Sequence, residues 1–150
     1  MKRLLWTTLF ILGLANSILA TDLPVKNQDV SPEQLAKQNK QIIQMVAQEL
    51  MKTIPQKINK YTSIVDVKAV ESNLIYSYEI NTGAKSDEAV MAEDRTNWEA
   101  AFIENECKRS QRFLDAQVKI SHVYNSEKTK VKLFQFDVTQ AKCYKLFGPR

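Results

Sequence analysis

The chain has 150 residues, 44 % of them hydrophobic, with 21 Lys and Arg against 17 Asp and Glu for a formal charge of +4. Two of the cations, Lys2 and Arg3, sit at the extreme N-terminus, and the rest of the chain is too near neutral to argue for nucleic acid or an acidic membrane surface as a partner. With only 3 glycines, 2 cysteines and 1 histidine, it cannot build a glycine-rich phosphate loop, a disulfide-dense scaffold or a closed Cys/His zinc site without carboxylate help.

The N-terminus reads as an export signal. Lys2 and Arg3 form the positive region, and Leu4 to Leu14 is an apolar stretch interrupted only by Thr7, Thr8 and Gly13. A more polar segment then runs to Ala20. Cleavage after Ala20 would leave Thr21 as the new terminus; cleavage after Ser17 is the alternative. The apolar run is short for an uncleaved anchor, which needs about 20 residues. No cysteine lies near the cleavage region to make a bacterial lipoprotein, and no twin arginine is present, so the general secretory route is expected. The expected organisation is a signal peptide over 1–20, a polar leader over 21–30 and one domain over 31–147. No later stretch is apolar enough to hold the mature chain in a membrane.

A helix begins at Ser31. Ser31 is a good N-cap, Pro32 fits the first helical position, and Gln34 completes a capping box. Leu35, Ile42, Ile43, Val46 and Leu50 recur at helical spacing and are expected on the buried side. The helix should end before Pro55. Thr62 to Val70 is rich in β-branched residues, and Leu74, Tyr76, Tyr78 and Ile80 alternate with polar residues. A turn at Glu71-Ser72-Asn73 would join these two strands into a hairpin. A second helical region spans about Ser86 to Ala116, with breaks expected at Glu93 to Asn97 and after Cys107; Ala89, Val90, Trp98, Phe102 and Ile103 are its candidate core residues. A second hairpin follows. Val118, Ile120, His122 and Tyr124 share one face of its first strand, and Phe134, Phe136 and Val138 share one face of its partner. The stretch after Ala141 reads as a weak tail.

This order predicts an α+β domain: helix, hairpin, helices, hairpin, with an antiparallel sheet of about four strands and the helices packed on one face. In an exported chain, two cysteines and no others most simply pair, so a Cys107–Cys143 disulfide is expected to tie the second helical region to the chain beyond the last strand.

Elements and motifs of Val65-Asp66, Leu74-x-Tyr76-x-Tyr78, Cys107, Ile120 to Tyr124 and Cys143, behind an export signal, resemble a type of small periplasmic single-disulfide α+β protein of Gram-negative bacteria. The chain departs from that pattern where Asp115-Ala116 replaces a glycine after the cysteine-bearing helix. The resemblance implies a periplasmic α+β domain with one disulfide and transfers no functional residue.

No motif points to catalysis. His122 could serve a hydrolase as a base, and Glu104 with Glu106, or Asp87 with Glu88, could supply carboxylates; satisfied packing for the histidine and helix capping or solvation for the acids explain them as well. No catalytic residue, metal ligand or cofactor is therefore expected. The expectation is a non-enzymatic module that binds another envelope or periplasmic protein, as an immunity-type inhibitor or a secretion accessory factor. Its candidate binding face is Tyr76 and Tyr78 on one strand, or Lys130 and Lys132 near another. A hydrolase and a carrier of small apolar ligands are the alternatives.

Overall fold

The computed structural model describes residues 31–148. The expected signal peptide and leader lie outside the described residues.

Helix α1 (Pro32–Met51) starts where the capping box places it. The Ser31 hydroxyl accepts from the Gln34 N–H, and the Gln34 side chain accepts from the Ser31 N–H, both at 3.2 Å. Each bond satisfies a backbone donor that the first turn would otherwise leave unpaired. Replacing Ser31→Ala should therefore lower stability by about 1 kcal/mol, seen as a shifted urea midpoint at unchanged slope.

A short strand β1 (Gln56–Lys57) and the strands β2 (Thr62–Val70), β3 (Asn73–Ile80), β4 (Lys119–Ser126) and β5 (Lys132–Val138) form one sheet in sequence order. Between β3 and β4 lie α2 (Asp87–Met91), α3 (Thr96–Arg109) and α4 (Gln111–Asp115), and α5 (Gln140–Phe147) follows β5. The α+β class is as expected, and both breaks in the second helical region are present. Two features differ from the expected sheet. It gains a fifth strand, β1, too short to show an alternating pattern. And β3 pairs with β4 in parallel, whereas the other pairs are antiparallel. The reason is the length of the intervening segment: α2, α3 and α4 carry the chain back along the sheet, so β4 starts beside the start of β3. The expected weak tail is also a helix, α5, begun by Thr139, whose hydroxyl accepts from the Lys142 N–H at 3.3 Å.

The register lines up the apolar alternation of three strands in rows. Leu74 lies beside Ile120, which pairs with Val138; Tyr76 beside His122, which pairs with Phe136; Tyr78 beside Tyr124, which pairs with Phe134. The helices cover this face. Ile43 and Ala47 of α1 pack with Val67, Leu74 and Val118, while Ile103 and Cys107 of α3 pack with Leu114, Ile120 and Val138. The α1 expectation needs correcting at Leu35 and Ile42, which are exposed, Leu35 by 47 %. Ala47 is buried instead, in the cluster with Ile43, Val67 and Leu74.

Candidate functional site

The end of the sheet at Ile80 gathers aromatic side chains from four elements. Trp98, on the first turn of α3, sets its indole edge-on against Phe134 and Phe136, with ring centroids 5.3 and 4.9 Å apart. Tyr124 stacks on Tyr78 and on Phe134, each with centroids 4.6 Å apart. Arg95, just before α3, lies over the Phe134 ring at 4.2 Å. Its guanidinium donates to the carbonyls of Val90 and, at 2.9 Å, of Glu93. Those are carbonyls at and just beyond the end of α2, which a helix leaves without internal partners. Arg95 thereby fastens α2 to the aromatic cluster.

An open groove of about 600 Å³ results. Ile80, Val90 and Phe134 make its apolar floor, and Tyr61 and Trp98 stand at its sides. These two aromatics are 56 % and 44 % exposed, so each presents part of a ring to solvent. The rim charges neutralise one another: Lys85 pairs with Glu93 at 2.6 Å, and Glu93 also faces Arg95 at 3.6 Å. The Lys85 hydrogen bond holds the Glu93 carboxyl below its ordinary pKa. Asp94, at the same rim, is likewise lowered, by hydrogen bonds from the side chain and backbone of Thr96. Rings backed by a rigid aromatic core, with neutral paired charges around them, suit the docking of an apolar or aromatic side chain from another protein.

The residues singled out from sequence fall elsewhere. Tyr78 is buried and Tyr76 half-buried beneath the helices, so neither offers its ring as a docking surface. The alternation correctly put them on one face, but that face is the covered one. Lys130, just before β5, and Lys132, at its start, are exposed, and Lys130 is held at 2.7 Å by Glu79. The four residues do not form one surface. Cys107 of α3 and Cys143 of α5 are joined as a disulfide.

His122 is only 5 % exposed. Its Nδ1 lies 3.0 Å from the Tyr78 hydroxyl, Tyr76 stacks on it at 5.1 Å, and Phe102 stands edge-on at 4.7 Å. Its Nε2 meets no hydrogen-bonding group among the described residues. Burial pushes its pKa down to about 4, against a smaller opposing effect of the Glu106 charge. The same burial pushes the Tyr78 and Tyr76 hydroxyls up, and Tyr124 up to about 12. A neutral imidazole sealed under aromatic rings has no route to a substrate proton. Three of the four candidate acids are engaged: Glu104 pairs with Lys108 at 2.7 Å, Glu106 accepts from the Ser110 hydroxyl, and Asp87 accepts from the Thr129 hydroxyl. Among the described residues no three metal-ligating side chains converge, and no helix is long and apolar enough to cross a membrane.

Of the groove residues, sequence reasoning assigns Trp98 and Phe134 to packed faces and does not mark Tyr61 or Arg95. Trp98 reads as core on helical spacing. The one signal that marks it is its place directly after the polar break Glu93 to Asn97, on the first turn of α3.

No protein-family model matches the chain, and no curated protein matches it. Solved structures do. A protein of Pseudomonas aeruginosa described as secreted superposes with a TM-score of 0.63 at 14 % identity, over 73 % of this chain and 96 % of that one. The pilotin of the type 2 secretion system of Vibrio vulnificus gives 0.59 at 13 % identity, over 74 % and 96 %. The type II secretion system pilotin of Vibrio cholerae gives 0.56 at 15 % identity, over 74 % and 97 %. At these identities the likeness is one of fold.

Proposed function

We propose that this chain is an exported, non-enzymatic accessory protein of the bacterial envelope that works by docking another protein in the Tyr61–Trp98 groove. The observation that carries this reading is the pair of exposed aromatic rings over a rigid apolar floor with neutralised charges at its rim. The N-terminal sequence supports export. The shared fold supports a place beside a secretion machine, since two of the similar structures are secretion-system pilotins. An inhibitor of immunity type would use the same groove. The burial of His122 and the committed carboxylates weigh against the hydrolase alternative.

The test compares the chain from Thr21, tagged at its C-terminus, with the same chain carrying Tyr61→Ala and Trp98→Ala. The intact protein should retain one stoichiometric partner from the periplasmic fraction. Truncating a central aromatic anchor typically costs about 2 kcal/mol or more of binding, roughly a 30-fold loss of affinity. The variant should therefore lose that partner, and Tyr61→Ala alone, which leaves Trp98 packed on Phe134 and Phe136, should weaken the binding while keeping the thermal midpoint within a few degrees. A partner held equally by both proteins would move the interface elsewhere, and a folded monomer with no partner would remove the docking reading.

A further inference from the structure

The last residue of α1 meets the outer edge of β2 through its sulfur. β1 covers this edge only at Ser63 and Ile64, and no other described strand lies beyond it up to Val70. Val67 is 2 % exposed, yet its N–H reaches no carbonyl; it donates to Met51 Sδ at 3.2 Å. A thioether is a weak acceptor, so this buried donor is held less firmly than a ladder carbonyl would hold it. The Met51 side chain is otherwise open: it is 39 % exposed and lines a groove of about 610 Å³. Met45 and Met91 are exposed by 57 % and 42 %, but no donor among the described residues reaches their sulfurs. Met51 alone of the three combines access from solvent with a buried N–H at its sulfur.

We propose that Met51 is a modification site for peroxide-class oxidants, and that the oxygen of its sulfoxide takes over the Val67 N–H. A sulfur lone pair attacks one oxygen of hydrogen peroxide, and an S–O bond forms as the O–O bond breaks. The departing hydroxide takes the proton from the new S–OH and leaves as water, so sulfur is oxidised by two electrons and peroxide reduced by two. The product is a polar S=O group, a stronger acceptor than the thioether it replaces. Met51 can present that oxygen. Its side chain has three rotatable bonds at the very end of α1, and the sulfur need retreat only roughly half an ångström to leave a normal N–H···O distance. Oxidising a methionine ordinarily harms a fold, because it puts a polar group where only apolar ones pack. Here a buried donor is already in place, so the sulfoxide tightens the join between α1 and β2. At Met45 and Met91 the new oxygen would meet water. A methionine sulfoxide reductase, drawing two electrons from a thiol pair, would restore the thioether and the weaker bond. This site is separate from the Tyr61–Trp98 groove, and either can fail without the other.

The test uses the chain from Thr21 carrying Met45→Leu and Met91→Leu, in which Met51 is the sole methionine. Hydrogen peroxide is the probe. Mass spectrometry should show one added oxygen, on the peptide that holds Met51. Amide exchange at Val67 should then slow about fivefold, the gain of roughly one net hydrogen bond, and its amide proton resonance should move downfield. The thermal midpoint should hold or rise by a few degrees. Met51→Gln places an amide oxygen where the sulfoxide oxygen would lie; it should slow Val67 exchange to a similar degree and make it insensitive to peroxide. Met51→Leu keeps the apolar volume without an acceptor, and should speed Val67 exchange severalfold. Three results overturn the proposal. One is a Met51 that stays unoxidised under peroxide that converts Met45 of the wild-type chain. Another is oxidation of Met51 that leaves Val67 exchange unchanged. The third is oxidation that speeds this exchange and lowers the midpoint, as sulfoxide formation in an ordinary apolar core would.

Discussion

Acidification from pH 6.5 to pH 4 should destabilise the folded chain by about 3 kcal/mol through His122 alone. In the unfolded chain this imidazole takes a proton near its ordinary value of 6.5; in the folded chain it does so only near about 4. The unfolded state therefore binds the proton first, and the stability present above pH 6.5 is lost as pH falls through that window. The cause is the enclosure of the ring by Tyr76, Tyr78 and Phe102, where a charged imidazolium would forgo water and find no carboxylate hydrogen bond. The check is a set of urea melts between pH 7 and pH 4. Wild-type stability should fall across this range, and His122→Gln, whose amide can still accept from the Tyr78 hydroxyl, should flatten the profile. A wild-type profile already flat would show that His122 titrates normally. Asp137 acts further down the scale. Burial raises its pKa, but donors on Ser121, Gln135 and Lys119 hold it near about 2, so its share is lost only as pH falls from its ordinary 3.8 towards 2.

Removing the disulfide is the other large effect. Cys107→Ala with Cys143→Ala should cost roughly 3–4 kcal/mol and lower the thermal midpoint by about 10–20 °C. Part of this is the closure entropy of the 36-residue separation, which the crosslink takes out of the unfolded ensemble. The native state loses something too. No side chain of α5 is fully buried, and its attachment to the core runs through Cys143 and Phe147 against the cluster of Ile103, Leu114 and Ile120. Without the crosslink α5 should open locally before the sheet does. Limited proteolysis under dithiothreitol should then cut first between residues 140 and 147, and the reductant should leave the double variant's midpoint unchanged. Global unfolding with no early cut in α5 would mean that the helix is held by packing alone.

Much of the local structure is legible along the chain. Ser31, Pro32 and Gln34 satisfy their own helix terminus within one turn, so no distant residue is needed to place the start of α1. The alternation of Leu74, Tyr76, Tyr78 and Ile80, and of Ile120, His122 and Tyr124, fixes strands and faces because side chains in a strand repeat every second residue. The α+β class follows from the order of these elements. What alternation cannot say is which face receives the helices, and so it offers Tyr76 and Tyr78 as a binding surface when they lie beneath α1 and α3. Nor can it give the direction of β4, which depends on where α2, α3 and α4 leave the chain. The groove is a product of tertiary structure throughout: Tyr61, the segment carrying Val90, Arg95 and Trp98, and Phe134 come from three separate stretches and meet only when the helices pack on the sheet. The same holds for the β2 edge, where the Val67 N–H turns to Met51, sixteen residues away, because the ladder ends after β1. Short-range hydrogen bonds and residue periodicity determine the elements; which surfaces stay open is decided by packing between residues far apart in the chain.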